Sequence, residues 1–93
     1  MSTSLSEDGS VEHNPPTTDD EYRDRLREMP PSAKLVAKVL ETDSPLSQGQ
    51  LVEESLLPDR TVRYALNRLE EVDLVESRYS FQDARKQVYS LTR

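Results

Sequence analysis

The chain has 93 residues, of which 33% are hydrophobic, and carries a formal net charge of −6. A chain of this length can bury one small core, so one domain with a tail is the most that it can form. Because the sequence contains no cysteine, it excludes disulfides, thiolate metal sites and cysteine nucleophiles, and the fold must depend on packing alone.

The negative charge is concentrated in the N-terminal third of the chain. Residues 1–31 carry eight acidic and three basic side chains, whereas residues 32–93 carry ten acidic and nine basic ones. Residues 1–18 are rich in Ser, Thr and Pro and almost lack large apolar side chains, so burial cannot compensate the entropy lost on ordering. We therefore expect a disordered acidic tail over residues 1–18. His13, the only histidine, lies in this tail without a cluster of metal-ligand spacing around it.

A short amphipathic helix is predicted over residues 19–29. Thr18 and Glu21 have the spacing of a capping box. Its apolar face consists of three side chains at helical spacing, Tyr22, Leu26 and Met29. A helix this short is marginal in water on its own, so the face must pack either on the domain's own core or on a second subunit. In the second case, residues 20–29 would form a homodimer contact.

The domain proper is expected in residues 32–93 and begins with three helices. Apolar periodicity places them at residues 32–42, 48–55 and 58–72. A short extended link with Leu46 precedes the second helix. The second and third helices are joined by a brief turn and the later one is longer, which is typical of a helix-turn-helix.

Each of these helices has a start signal in the sequence. Ser32 is a suitable N-cap for the first, and Ser47 with Gln50 forms a capping box for the second. The fixed backbone angle of Pro58 suits the first turn of the third helix, although it offers no side-chain acceptor for the cap.

Two strands follow the third helix, at Leu74 to Phe81 and at Gln87 to Thr92, where Val, Tyr, Ser and Leu partly alternate. The polar loop between them, residues 82–87, carries Arg85 and Lys86. This order predicts an α+β, mainly helical winged helix-turn-helix. It has a three-helix core, a β-hairpin wing and a short extra N-terminal helix.

The third helix has two distinct faces when its residues are placed at 100° intervals. Its apolar side chains fill a sector of roughly 120°, and the opposite side presents arginines, a tyrosine and an asparagine. Arg and Asn fit guanine and adenine edges in the major groove, and Tyr can contact phosphate or a thymine methyl. The candidate DNA-binding residues are Arg60, Thr61, Arg63, Tyr64, Asn67, Arg68, Arg85 and Lys86. The alternative is a solvated charged face, which most amphipathic helices have.

The stretch from Leu46 to Thr92 resembles the winged helix-turn-helix domains of MarR-type and related archaeal regulators. The matching motifs are Ser47, Thr61-Val62, the basic stretch Arg63 to Arg68, the exit Leu69 to Val75, and Tyr89-Ser90-Leu91-Thr92. The resemblance covers about residues 32–93. It implies a sequence-specific transcription regulator that places helix 58–72 in the major groove of double-stranded DNA and loop 82–87 on the backbone.

The sequence departs from that family in three respects. Asp73 stands where the family has an exit glycine, and Pro58 stands where it has a capping serine. Dimeric members also have long flanking helices, whereas only residues 20–29 could serve this chain.

The main alternative to a DNA-binding regulator is a winged helix that binds protein within a transcription or other assembly. An enzyme is not expected, because there is no glycine-rich phosphate loop and the pairs Glu53-Glu54 and Glu70-Glu71 do not converge. No cofactor, metal or small-molecule effector is expected either. With no apolar run near the roughly 20 residues that span a bilayer and no signal peptide, we expect a soluble cytoplasmic protein.

The composition also suggests a source. Nine of the twelve basic side chains are arginine, Asp and Glu are abundant and aromatic residues are few. Salt-adapted archaeal proteins have this composition, since surface carboxylates keep them soluble in concentrated salt. We expect a haloarchaeal, halophilic protein, with an ordinary acidic tail on a mesophilic protein as the alternative.

Overall fold

The computed structural model describes residues 14–92. Its elements in chain order are α1 Asp19–Arg27, α2 Pro31–Thr42, β1 Leu46–Ser47, α3 Gln48–Ser55, α4 Asp59–Glu71, β2 Val75–Tyr79 and β3 Gln87–Leu91. The strands form one antiparallel sheet in the order β1-β3-β2. The predicted winged helix-turn-helix of α+β, mainly helical class is confirmed. The predicted extended link is in fact a short strand, which pairs with β3.

The capping signals of α3 and α1 are formed by side-chain hydrogen bonds. At α3, the Ser47 hydroxyl accepts from the Gln50 backbone N–H at 3.2 Å, and the Gln50 side chain accepts from the Ser47 N–H at 2.9 Å. At α1, the Thr18 hydroxyl accepts from the Glu21 N–H at 3.1 Å. The Glu21 carboxylate accepts instead from the Thr17 N–H, at 2.7 Å. The first box is therefore complete, and the second is displaced by one residue.

Prolines begin the other two helices. The expected N-cap at Ser32 is wrong, because Pro30 is the N-cap of α2 and Pro31 is its first residue, without a side-chain cap. Pro58 is likewise the N-cap of α4, so that helix begins at Asp59. The first turn of a helix tolerates proline because its missing N–H has no intrahelical partner there.

The predicted tail and the described structure overlap only at the end of the tail. Residues 1–13, including His13, lie outside the described residues. Thr17 and Thr18 already belong to the cap of α1, and Pro16 is buried. Residues 16–18, which the prediction assigned to the tail, are therefore packed or hydrogen-bonded.

A single apolar core joins the helices to the sheet. Leu40, Leu51, Leu69 and Leu74 are among its largest fully buried side chains. They come from α2, α3, α4 and the segment before β2. The core therefore packs one face of α4 against α2, α3 and β2, which determines the face that it presents to solvent.

Helix α1 packs on this same core. The apolar side chains of α1 are nearly fully buried, with exposures of 2% for Tyr22 and 7% for Leu26. The helix ends at Arg27 and not at residue 29 as predicted, but Met29, just after it, is also buried, with an exposure of 6%. The Tyr22 hydroxyl donates to Glu41 on α2 at 2.6 Å, and Arg25 donates to the Val72 carbonyl at 2.8 Å, at the end of α4. Of the two expected partners for this face, the domain's own core is the one observed. A homodimer through residues 20–29 would have to use the polar side of α1.

Among residues 14–92, two residues other than glycine have left-handed backbones, Leu56 with φ 62° and Asp73 with φ 58°. This conformation costs roughly 1–2 kcal/mol for most L-residues, and less for Asp and Asn. Asp73 follows α4 in a Schellman motif, since the Leu74 N–H donates to the Leu69 carbonyl at 2.9 Å and the Asp73 N–H to Glu70 at 3.1 Å. The position therefore has the geometry that an exit glycine would adopt.

Replacing Asp73 with Gly should keep the fold and raise its free energy of unfolding by up to about 1 kcal/mol. The gain is small because two terms nearly cancel. Glycine removes the cost of a left-handed backbone, but its extra unfolded-state entropy costs roughly 0.5–1 kcal/mol. Urea denaturation of parent and variant measures the difference. A lower midpoint at unchanged m would contradict this prediction.

The Leu56→Gly variant should also be more stable than the parent. Leu56 is 89% exposed, so its removal sacrifices almost no burial. The relief of a strain of about 1–2 kcal/mol exceeds the extra unfolded-state entropy of glycine, roughly 0.5–1 kcal/mol. Leu57→Gly is the matched control, since Leu57 is partly buried against the core and has no positive φ. Thermal unfolding should show a rise for the first variant and a fall for the second; a fall for both would refute the argument from strain.

Candidate nucleic-acid interface

The outer face of α4 follows directly from its buried face. Val62 and Leu69 are fully buried. The side chains opposite them therefore point to solvent. Four of the six candidate residues on this helix are exposed, Arg60, Arg63, Tyr64 and Asn67. The other two, Thr61 and Arg68, are half-buried.

Arg68 is held within α4. Its Nη1 donates to the Tyr64 hydroxyl at 3.3 Å, and its Nε lies 3.5 Å from the Glu71 carboxylate. That Nε is buried and makes no hydrogen bond of acceptable geometry within residues 14–92. Arg68 thus orients the Tyr64 ring rather than extending alone into solvent. The Tyr64 hydroxyl accepts in this bond and keeps its own hydrogen for donation.

Gln48 connects the two helices of the helix-turn-helix. Its side-chain amide donates to the Asp59 carboxylate at 2.9 Å, which joins the start of α3 to the start of α4. This bond positions the first turn of α4, where Arg60 lies. The role of Gln48 has no local sequence signal, because the bond joins residues on either side of the turn.

The wing loop begins two residues earlier and ends one residue earlier than predicted. β2 ends at Tyr79 and β3 begins at Gln87, so the loop comprises residues 80–86 and not 82–87. The Ser80 N–H donates to the Lys86 carbonyl at 2.8 Å and closes the hairpin.

Asp83 organises the interior of this loop. Its carboxylate accepts from the Arg85 N–H at 3.0 Å and lies 3.7 Å from the Arg85 guanidinium. Its carbonyl accepts from the Lys86 N–H at 2.9 Å. The side chain of Arg85 is nevertheless 94% exposed, and Lys86 is exposed as well. Both cations are therefore presented on a loop with a defined backbone.

Tyr89 lies between the wing and α4. It is on β3, half-buried, and Arg63 and Glu70 of α4 are close enough to affect its ionisation. Burial, followed by the Glu70 charge, raises the pKa of Tyr89, and Arg63 opposes the shift. The phenol therefore remains neutral near pH 7. In the sequence, Tyr89 stands out only as part of the family motif Tyr89-Ser90-Leu91-Thr92 and is not among the predicted site residues.

Two further aromatic side chains lie towards the end of the wing. Tyr79 is 65% exposed and Phe81 is fully exposed. Neither was singled out from the sequence, which placed both in a strand. Their position beside the loop cations could have identified them as site residues, because the sequence contains only five aromatic residues, four Tyr and one Phe.

The described residues hold no group of three or more His, Cys, Asp or Glu side chains that could bind a metal ion. Within residues 14–92, no helix combines the length and apolar character that crossing a membrane requires.

No protein-family model matches this chain, and no curated protein matches it. Solved structures do match it. A mutant of ZitR from Lactococcus lactis has a TM-score of 0.67 at 21% identity, with 71% of this chain and 44% of that chain covered. The PcaV transcriptional regulator of Streptomyces coelicolor, in complex with its natural ligand, has a TM-score of 0.66 at 25% identity, covering 70% and 46%.

The S. aureus MepR-DNA complex has a TM-score of 0.65 at 20% identity, covering 80% of this chain and 60% of that one. These three are MarR-family winged-helix regulators and not enzymes. Since 44% to 60% of their lengths is covered, this chain spans about half of the regulators that it resembles. What the three structures share with this chain is the winged helix-turn-helix fold.

Proposed function

We propose that this chain is a sequence-specific DNA-binding module of a transcription regulator and works in the cytoplasm. The observation that carries the proposal is the outer face of α4. It exposes Arg60, Arg63 and Asn67 on a helix whose other face is fixed in the core. A rigid helix with Arg and Asn outward can read bases in the major groove. The MepR-DNA complex adds support, since that protein shares the fold and was solved on DNA.

The eight candidate residues then divide into two groups. Arg60, Arg63 and Asn67 reach base edges or adjacent phosphates, with Thr61 supporting the same turn. Tyr64, oriented by Arg68 at 3.3 Å, donates to a phosphate. Phosphate contacts fix register without reading sequence, and base contacts supply the specificity. Arg85 and Lys86, on the exposed loop, neutralise the backbone.

Two copies would be needed to read a two-part operator, since one winged helix contacts few bases. The apolar side of α1 is already buried, so a homodimer through residues 20–29 would be polar. A small-molecule effector forms no part of the proposal. A haloarchaeal source remains a prediction from composition alone.

A protein-binding winged helix is the second candidate function. It is favoured by Phe81 and Tyr79, which are exposed beside the wing loop, where apolar surface is more typical of a protein contact than of a phosphate contact. The two functions differ in the ligand that α4 recognises.

Arg60→Ala and Asn67→Ala should each weaken binding to the preferred duplex by about 1–3 kcal/mol and relax the preference at one base position. The preferred duplex is first selected from a random pool. Arg23→Ala on α1 is the matched control, because Arg23 is exposed and lies outside this interface. If the parent itself prefers no sequence, or the Arg60 variant discriminates as well as the parent does, α4 does not read bases. The second candidate function would then be the better account.

Arg85→Ala should weaken binding to preferred and scrambled duplexes equally. Loss of one phosphate contact should make the negative slope of log affinity against log salt shallower by about 0.9. Titrations at four or more salt concentrations measure that slope. A loss confined to the preferred duplex would place Arg85 on a base edge and contradict the division of roles.

A further inference from the structure

A second basic surface lies away from the wing. An open groove of about 230 Å³ runs between α1 and α2. Four of its five lining side chains are cations and the fifth is apolar: Arg23, Arg27, Lys34, Lys38 and Leu26. In a chain whose net charge is −6, a cluster of four cations around a leucine is a marked local reversal of charge.

The groove is only partly neutralised by the carboxylates around it. Arg27 lies 3.0 Å from Asp24, and Lys38 lies 3.5 Å from Glu41. Within residues 14–92, no ion pair forms at Arg23 or at Lys34. The groove therefore keeps an excess of positive charge that an acidic ligand could balance.

We propose that the groove binds the acidic segment of this same chain, residues 1–13. That segment contains Glu7, Asp8 and Glu12 and neither Lys nor Arg. Leu5 precedes the adjacent pair Glu7 and Asp8 by two residues, which provides one apolar side chain beside two carboxylates. The groove is complementary to it: Leu26 is its apolar side chain, and cations line it on the α1 wall and on the α2 wall. The inference does not depend on the proposed function.

The segment is attached close to the groove. It joins the described residues at Asn14, and α1 begins at Asp19. Arg23 and Arg27 lie only about 6 and 12 Å further along that helix, at 1.5 Å per residue. Thirteen residues can extend to roughly 40 Å, so the segment can fold back along α1 and reach both walls.

Attachment also decides between the two basic surfaces. Exposed ion pairs are individually weak, but a short tether supplies an effective concentration on the order of millimolar. Arg23 and Arg27 lie on α1, the first helix after the segment. Arg60 lies near the opposite end of α4 from Val72, about 18 Å along that helix, and Arg25 of α1 contacts the Val72 carbonyl. The groove is therefore the cationic surface nearest to the segment along the chain.

Paramagnetic relaxation in the full chain tests the proposal. The chain contains no cysteine, so Ser10→Cys gives a single site for a nitroxide label. At low salt, the label should broaden the backbone amides of Leu26, Lys34 and Lys38 and leave those of Asn67 and Arg85 sharp. The broadening should vanish in molar salt, where the Debye length is about 3 Å.

Charge reversal identifies the contacts. Lys34→Glu with Lys38→Glu should abolish the broadening, whereas Arg60→Glu with Arg85→Glu, an equal change of net charge, should not. Glu7→Lys with Asp8→Lys should abolish the broadening too. Combining these two changes with the Lys34 and Lys38 reversals should restore it.

Three outcomes would overturn the proposal. The first is broadening at Asn67 and Arg85, which would place the segment on the α4 face. The second is groove broadening that the Lys34 and Lys38 reversals leave intact. The third concerns a mixture of nitroxide-labelled chains with isotope-enriched chains that carry no label. If broadening appears only between different chains in this mixture, the groove binds the segment of a second copy.

Discussion

The packing of one face of α4 against α2, α3 and the sheet is the interaction on which the rest of the structure depends. Val62 and Leu69 are fully buried on that face, and burying such side chains contributes about 1.5–3 kcal/mol each. Because a helix is rigid, fixing one face also fixes the direction of the other. The orientation of Arg60 and Asn67 is thus a consequence of core packing, although neither residue belongs to the core.

Features with a local signature could be predicted from the sequence. The faces of α4 follow from helical periodicity, and the complete cap at Ser47 and Gln50 follows from a three-residue spacing. The left-handed backbone of Asp73 could be inferred because a family glycine occupies its place. In each case the deciding contacts lie within a few residues of one another.

Features that depend on distant parts of the chain could not be predicted. β1 is a strand only because Leu46 and Ser47 pair with Tyr89 and Val88, about forty positions away. The start of α2 was misplaced because Ser32 and two prolines offer competing start signals within three residues. The inward bonding of Arg68 depends on which rotamer its long side chain adopts, and sequence spacing alone does not specify this.

The domain, residues 32–93, has a net charge close to zero, with ten acidic and nine basic side chains. These charges are distributed unevenly over its surface. Exposed carboxylates such as Glu53 and Glu54 lie on α3, while Arg60 and Arg63 lie on the outer face of α4 and Arg85 on the wing loop. Long-range attraction to a polyanion is therefore weak, since it follows net charge. Recognition by this surface would depend on contacts made at close range.

Ser47 belongs to two elements at once, because it pairs with Val88 in the sheet and caps α3 with its hydroxyl. β1 ends at Ser47 and α3 begins at Gln48, so no loop separates this part of the sheet from the helix-turn-helix. The sheet that carries the wing and the helix-turn-helix therefore form one rigid unit. On a duplex, the spacing between α4 and the wing loop would be set by the protein. A site whose groove width differs from that spacing would have to bend or twist to fit, so DNA deformability would contribute to selectivity even at base pairs that no side chain touches.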